Sequence, residues 1–221
     1  YCILTKKHSI LLAMQLFAIF ICGILSKDTA FAIVNALLGV TFNFFVSINY
    51  PIGFLFGFVY AVTNGLLAFK TSIYATCAFM FLLQAPMAVY SFIKWNQAKN
   101  NSNSEMKIMN KRQLTLLGCF MLLLGVIMYF VLSLLNSSSV IFDDIFFVFS
   151  VTACLLLAFY YKNAYIITLL SGLFGTILWT VQYFDTQQGL SVAVFYLIVL
   201  INSIVAVYRQ YFKLSLIHIS E

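Results

Sequence analysis

The sequence predicts an all-α polytopic membrane protein with eight transmembrane helices in a 1+3+1+3 arrangement. Composition is the first reason. Of 221 residues, 63% are apolar and 8% are charged, against about 25% charged in a soluble domain. The second is that the apolar text divides into eight stretches, each near the ~20 residues that cross a bilayer as a helix. The third is charge, because Lys and Arg collect at alternate connections, the pattern of cytoplasmic loops. Such a chain cannot build a soluble surface. Disorder, a disulfide scaffold and a cytosolic enzyme are excluded.

The stretches lie at 9–25, 29–47, 50–69, 72–94, 113–135, 141–161, 163–183 and 189–211. The first ends at Ser26-Lys27-Asp28 and gives way at once to the second, with no signal-peptide cleavage pattern. The second meets the third at the tight turn Ile48-Asn49-Tyr50-Pro51. Phe54 to Tyr60 in the third is apolar on every face, unlike the alternating strands of a membrane barrel. A short polar turn precedes the fourth, which ends at Lys94-Trp95. The Asn-, Ser- and Lys-rich text from Trp95 to Arg112 is the one real loop and leads into the fifth. Asn136 to Ser139 separates the fifth from the sixth, and Tyr161-Lys162-Asn163-Ala164 turns the sixth into the seventh. The eighth ends at Arg209-Gln210-Tyr211.

With the N-terminus in the cytoplasm, the inside holds Lys6, Lys7, Lys94, Lys99, Lys107, Lys111, Arg112, Lys162, Arg209 and Lys213. The outside holds Lys27 and Lys70, with Asp28, Asp143, Asp144 and Asp185. Ten basic residues against two place both termini in the cytoplasm of a plasma (inner) membrane protein. The net charge of +6 is therefore read as topology, with no nucleic-acid partner.

Hydropathy and turn spacing repeat. Residues 1–28 are an extra N-terminal helix and 29–96 a first three-helix repeat. Residues 97–140 are a cytoplasmic loop and linking helix, 141–213 a second repeat. One intervening span gives both triplets the same orientation, a parallel repeat. The chain begins at Tyr1, so a longer native N-terminus is expected, and 214–221, His218 included, is expected to be a non-native tail.

The spans are read as holding no Asp, Glu, Arg, Lys or His. Proton relays, paired-Asp proteases and metal sites need such groups. The five cysteines form no C-x-x-C and read as small packing residues. No Ser or Cys has a base nearby in sequence. The expectation is a protein that is not an enzyme, without metal or cofactor and uncoupled to protons.

Seven amides do enter the spans: Gln15, Asn35, Asn43, Asn64, Gln84, Gln182 and Asn202. Each either pairs between helices or lines a pocket, because an unpaired amide in hydrocarbon costs several kcal/mol. Gln84 and Asn202 lie near the middle of the third helix of each triplet. Asn35, Gly39 and Asn43 share one helix face. Trp95 and Tyr211 fit an interfacial belt, and Trp179 fits belt or pocket. Gly53 with Gly57, and Ser171 with Gly175, are small packing residues. Amides and aromatics without fixed charge suit a neutral or cationic flat ring.

Tyr50-Pro51-Ile52-Gly53, Tyr60, Asn64, Ser72-Ile73-Tyr74-Ala75, Gln84-Ala85-Pro86-Met87 and Tyr90 to Lys94-Trp95 resemble the first repeat of the PnuC-type vitamin transporters. Asn163 to Trp179 and Asn202 to Tyr211 resemble the second, so the resemblance covers 29–211. It implies a 3+1+3 core related to SWEET sugar transporters, a homotrimer, and facilitated diffusion of nicotinamide riboside made effective by phosphorylation in the cytoplasm. Ser91-Phe92 stands where the family has Gly-Trp, Tyr50 where Trp is common, and Tyr211 for a terminal Trp. Thiamine and riboflavin are therefore alternative cargoes. Within this reading Asn64, Gln84 and Asn202 hydrogen-bond the substrate, and Tyr90, Trp95 and Trp179 stack on it or gate. A SWEET-like sugar facilitator, a membrane-embedded enzyme and an assembly subunit without a pocket are the rival readings.

Overall fold

A backbone in hydrocarbon must satisfy its own N–H and C=O groups, so the apolar stretches wind into helices. The computed structural model describes residues 6–100, 106–135, 137, 139–187, 189–208 and 211. Its helices are α1 (Lys6–Leu25), α2 (Ala30–Ser47), α3 (Gly53–Lys70), α4 (Tyr74–Phe79), α5 (Ala85–Asn100), α6 (Lys111–Leu134), α7 (Val140–Ala158), α8 (Ala164–Thr186) and α9 (Leu190–Tyr208). A π turn, Met80–Gln84, joins α4 to α5 as one rod. Counted so, eight helices among the described residues are long and apolar enough to cross a membrane, as the sequence predicts. The fourth continues to Asn100, beyond its expected end at 94. Arg209, Lys213 and the 214–221 tail with His218 lie outside the described residues.

The turns between helices share one construction. Lys27, Asn49, Ser72 and Tyr160 take left-handed φ values of 56 to 64°. The next residue's N–H closes back on the helix: Asp28 to Gly23, Tyr50 to Phe45, Ile73 to Ala68 and Tyr161 to Leu156, at 2.8–2.9 Å. This double closure satisfies the last carbonyls of the helix without a glycine and reverses the chain within a few residues. Helix starts are capped as well. Thr29 accepts from the Ala32 N–H, and Asn110 with Gln113 forms a capping box ahead of α6.

The spans pack as a closed ring. α2 packs on α3, α3 on the α4–α5 rod, the rod on α7, α7 on α8, α8 on α9, and α9 back on α2. The ring is thus closed by α2 on α9 and by the rod on α7. α1 lies outside the seam of α2 and α9, and α6 lies outside α7 and the start of the rod. In α6 only Leu132 is buried, so nearly the whole helix is an apolar outer face.

One expectation is corrected. The spans are not free of ionisable groups, because Asp143 is fully buried in the first turn of α7. The helix begins at Val140 and carries that side chain inward between helix ends. Its carboxylate accepts from the Ala75 and Thr76 N–H groups at 3.1 and 3.2 Å and from the Thr76 hydroxyl at 2.7 Å. The charge is tolerated because these donors replace its water.

Candidate functional site

The ring surrounds a central cavity of about 100 Å³. All six ring spans line it, whereas α1 and α6 do not. Its wall starts at Ser47, Ser91, Tyr165 and Ala206, towards one end of the bundle, and stops halfway along at Tyr60, Phe79 and Tyr196. The first end is the basic one, carrying Lys94, Lys107, Lys111, Arg112 and Lys162. A strap over that end ties the loop before α6 to the α7–α8 turn. Lys107 N–H donates to Tyr160 O at 3.0 Å, and Lys162 N–H to Lys107 O at 2.8 Å.

An aromatic layer closes the cavity at mid-height. The hydroxyls of Tyr60 and Tyr196 meet at 2.9 Å across the ring. Phe195 packs edge-on against Tyr60 at 5.3 Å, and Phe146 against Tyr196 at 5.2 Å. Two glycines make room for these rings. A Cβ on Gly39 would come within 2.8 Å of Phe195 and Tyr60, and one on Gly175 within 2.6 Å of Tyr196.

Hydroxyls and two amides, Asn43 and Gln84, supply the polar wall. Ser150 of α7 and Ser171 of α8 bond each other at 2.8 Å. Gln84 is presented by the π turn, and Pro86 explains the turn. Proline lacks the N–H that would bond the carbonyl four residues back, and its ring pushes that carbonyl away. The helix widens over Met80–Gln84 just before it, a distortion common at functional sites. Gln84 is buried, lines the cavity and makes no side-chain hydrogen bond among the described residues. No Asp, Glu, His, Lys or Arg is among the described residues that line the cavity.

Residues 29–211 match the family model described as nicotinamide mononucleotide transporter. The chain belongs to this family. It is a multi-pass membrane transporter rather than an enzyme, and the resemblance to PnuC-type transporters holds. Among solved structures the chain is similar to the crystal structure of the vitamin B3 transporter PnuC. Identity is 21% over 95% of this chain and 92% of that one, with a TM-score of 0.79, a likeness that shows a shared fold. No curated protein matches the sequence.

In this family member the six residues singled out from sequence fall into different places. Gln84 alone lines the cavity. Asn202 is buried but turns towards α1: Gln15 Nε2 donates to its Oδ1 at 2.7 Å, and its own Nδ2 donates to Gln15 Oε1 at 3.3 Å. That pair braces α1 on α9, and a further contact, Asn202 Nδ2 to Asn43 Oδ1 at 3.4 Å, reaches the cavity wall. Gln84 and Asn202 are thus not brought together. Asn64 and Trp179 are fully buried beyond the cavity. Asn35 Nδ2 donates to Asn64 Oδ1 at 2.9 Å, while Thr63 donates to Asn35 Oδ1 at 2.7 Å. Asn64 Nδ2 and Trp179 Nε1 approach the Tyr196 hydroxyl, but neither completes a hydrogen bond.

Trp95 is buried at the basic end, where Nε1 donates to Leu157 O at 3.1 Å and the ring wedges edge-on between Phe54 and Tyr160. Tyr90 stands on the outer surface of the ring, 37% exposed, beside Phe159 and under Lys94. Sequence reasoning missed Tyr196, Ser150 and Tyr165, and read Ser171 as packing only. The signal available was weak: Ser150 is a lone hydroxyl in an apolar run, which by itself does not tell a pocket from an interhelical bond.

Proposed function

We propose that this family member carries nicotinamide riboside by facilitated diffusion, through alternating access of the two triplets around the central cavity. The observation that carries the reading is Gln84. It is a buried amide with no hydrogen-bond partner among the described residues, on an aromatic and hydroxyl-lined wall. A carboxamide ring fits that wall by stacking and by amide hydrogen bonds, and the ribose hydroxyls fit Ser150, Ser171 and Asn43. The nucleoside suits the cavity better than its phosphate ester. A phosphate brings almost two negative charges and calls for Arg, Lys or a helix N-terminus, and no basic side chain lines the wall among the described residues. That no carboxylate or His is among the described residues of the same wall favours transport uncoupled to protons.

In this reading the basic end faces the cytoplasm and both termini lie there, in the plasma (inner) membrane. The homotrimer implied by the resemblance has a candidate surface in the apolar outer face of α6. Uptake of nicotinamide riboside, nicotinamide mononucleotide, thiamine and riboflavin into proteoliposomes tests the substrate. Saturable uptake of the riboside alone, unchanged by a pH gradient, is expected. Uptake of only the phosphorylated form, or of none of the four, overturns it. Thiamine or riboflavin uptake would select the alternative cargoes.

A further inference from the structure

The end of the ring opposite the cavity is held by two carboxylates that cap helices belonging to the other triplet. Asp28 precedes the first helix of triplet one, and its Oδ1 and Oδ2 accept from Gly189 N–H at 2.8 Å and Ser191 N–H at 2.7 Å, at the start of α9. Asp143 opens the first helix of triplet two. It caps the start of α4 through Ala75 and Thr76, with the Ser137 hydroxyl adding a 3.4 Å bond. The two arrangements correspond: in each, a first helix lends an acid to the N-terminus of the opposite third helix. Helix N-termini expose N–H groups and carry partial positive charge, so anionic caps there are favourable.

We infer that Asp28 and Asp143 form a two-point latch that holds this end of the transporter shut. A cap supplied within one rigid unit stabilises every conformation of that unit equally. A cap supplied across the seam between units stabilises only conformations in which the seam is closed, and only such a differential contact shifts a conformational equilibrium. Both caps cross α2–α9 or α4–α7 seams, the two places where triplet meets triplet. The basic end has weaker ties across the same seams. There Tyr165 donates its hydroxyl to Asn49 Oδ1, Trp95 donates to the Leu157 carbonyl, and Asn202 donates to Asn43 Oδ1 at a long 3.4 Å. These are single neutral bonds, and charge-assisted bonds are roughly twice as strong. The asymmetry accounts for a cavity confined to the basic half. Opening the far end frees the N–H groups of α4 and α9, which entering water then solvates.

The latch rests on alternating access but not on the identity of the cargo, and its test uses no substrate. Two reporter proteins are made, one keeping Cys154 with the other four cysteines replaced, the other carrying Ala193→Cys with all five native cysteines replaced. Native Cys154 lines the cavity, and Ala193→Cys on α9 is buried beyond it. The rate of labelling by a charged thiol reagent is compared in D28N, D143N and the double variant. With the latch removed, labelling at position 193 rises about tenfold and labelling of Cys154 falls, the double variant exceeding either single one. Thr76→Val, which keeps both carboxylates and removes one hydroxyl from the Asp143 cap, gives a smaller shift in the same direction. Asp28 is partly exposed, so D28N tests the idea even where D143N folds poorly. Unchanged labelling at 193 in folded D28N and Thr76→Val protein overturns the latch and leaves the acids as plain helix caps. If labelling shifts as expected while every vitamin fails to be transported, the latch stands and the cargo assignment falls.

Discussion

Replacing Gln84 and Asn202 by leucine, one at a time, separates an amide that awaits a ligand from one that braces the fold. Asn202→Leu removes the 2.7 Å and 3.3 Å bonds to Gln15 and the 3.4 Å contact to Asn43, and leaves Gln15 buried without its partner. Interhelical hydrogen bonds in membrane proteins average about 0.6 kcal/mol. An orphaned buried amide adds roughly 1–3 kcal/mol. A loss of about 2 kcal/mol follows, a fall of several degrees in Tm. Gln84→Leu breaks no bond among the described residues and exchanges a polar group for an apolar one in a buried position. Its Tm stays level or rises. Transport behaves in the opposite sense. One or two hydrogen bonds to cargo, at about 1 kcal/mol each, correspond to roughly five- to thirtyfold in affinity, so KM for nicotinamide riboside rises by that factor in Gln84→Leu. Per folded molecule, Asn202→Leu transports nearly as the parent does. Thermal unfolding in detergent and uptake in proteoliposomes, normalised to folded protein, measure both. Equal stability losses in the two variants, or an unchanged KM in Gln84→Leu, would refute the assignment of Gln84 to the cargo.

Other changes test the layers around that site. Gly175→Ala drives a Cβ to 2.6 Å from Tyr196 and 2.9 Å from Phe146, and overpacking of this kind costs about 1–3 kcal/mol. Gly118→Ala meets nothing within 4 Å and serves as the neutral comparison in the same unfolding assay. Tyr60→Phe removes the 2.9 Å bond across the aromatic layer while keeping its ring. Stability falls by about 1 kcal/mol, and labelling of an Ala193→Cys reporter beyond the layer increases. Pro86→Ala restores the missing N–H, lets Met80–Gln84 wind as an ordinary α-helix and turns Gln84 off the wall. Uptake is lost while Tm holds or rises, and normal uptake by a stable Pro86→Ala protein would contradict the role given to the π turn.

Particular residues show how far sequence reading reaches. Gln84 is legible as a polar group at mid-span, whereas the π turn before Pro86 that aims it is seen only in the structure. Asn202 was equally legible as polar, yet its partner is Gln15, which lies 187 positions away on a helix outside the ring. Nothing in the local text of α9 distinguishes a face turned to α1 from a face turned to the cavity. Trp95 and Tyr90 were both candidates for stacking. They lie five positions apart on one helix, and the structure places one inside the packing and the other on the surface. Asp143 was misjudged for a related reason. A carboxylate at a helix start looks solvated in sequence, and only the neighbouring N-terminus of α4 makes its burial affordable.

The sequence by itself determined the solvent and the number of spans. Each of these depends on composition and on where charge cannot go, and hydrocarbon enforces such rules locally, residue by residue. Only the tertiary structure decided that six spans close into a ring, that the cavity fills its basic half, and that Gln84 faces it while Asn202 does not. It alone showed that Asp28 and Asp143 reach across the seams. Those properties depend on which helix face meets which partner. In a chain so uniformly apolar, nearly every face is equally suited to lipid and to protein, so the choice is made by packing of small residues and pairing of a few distant polar groups.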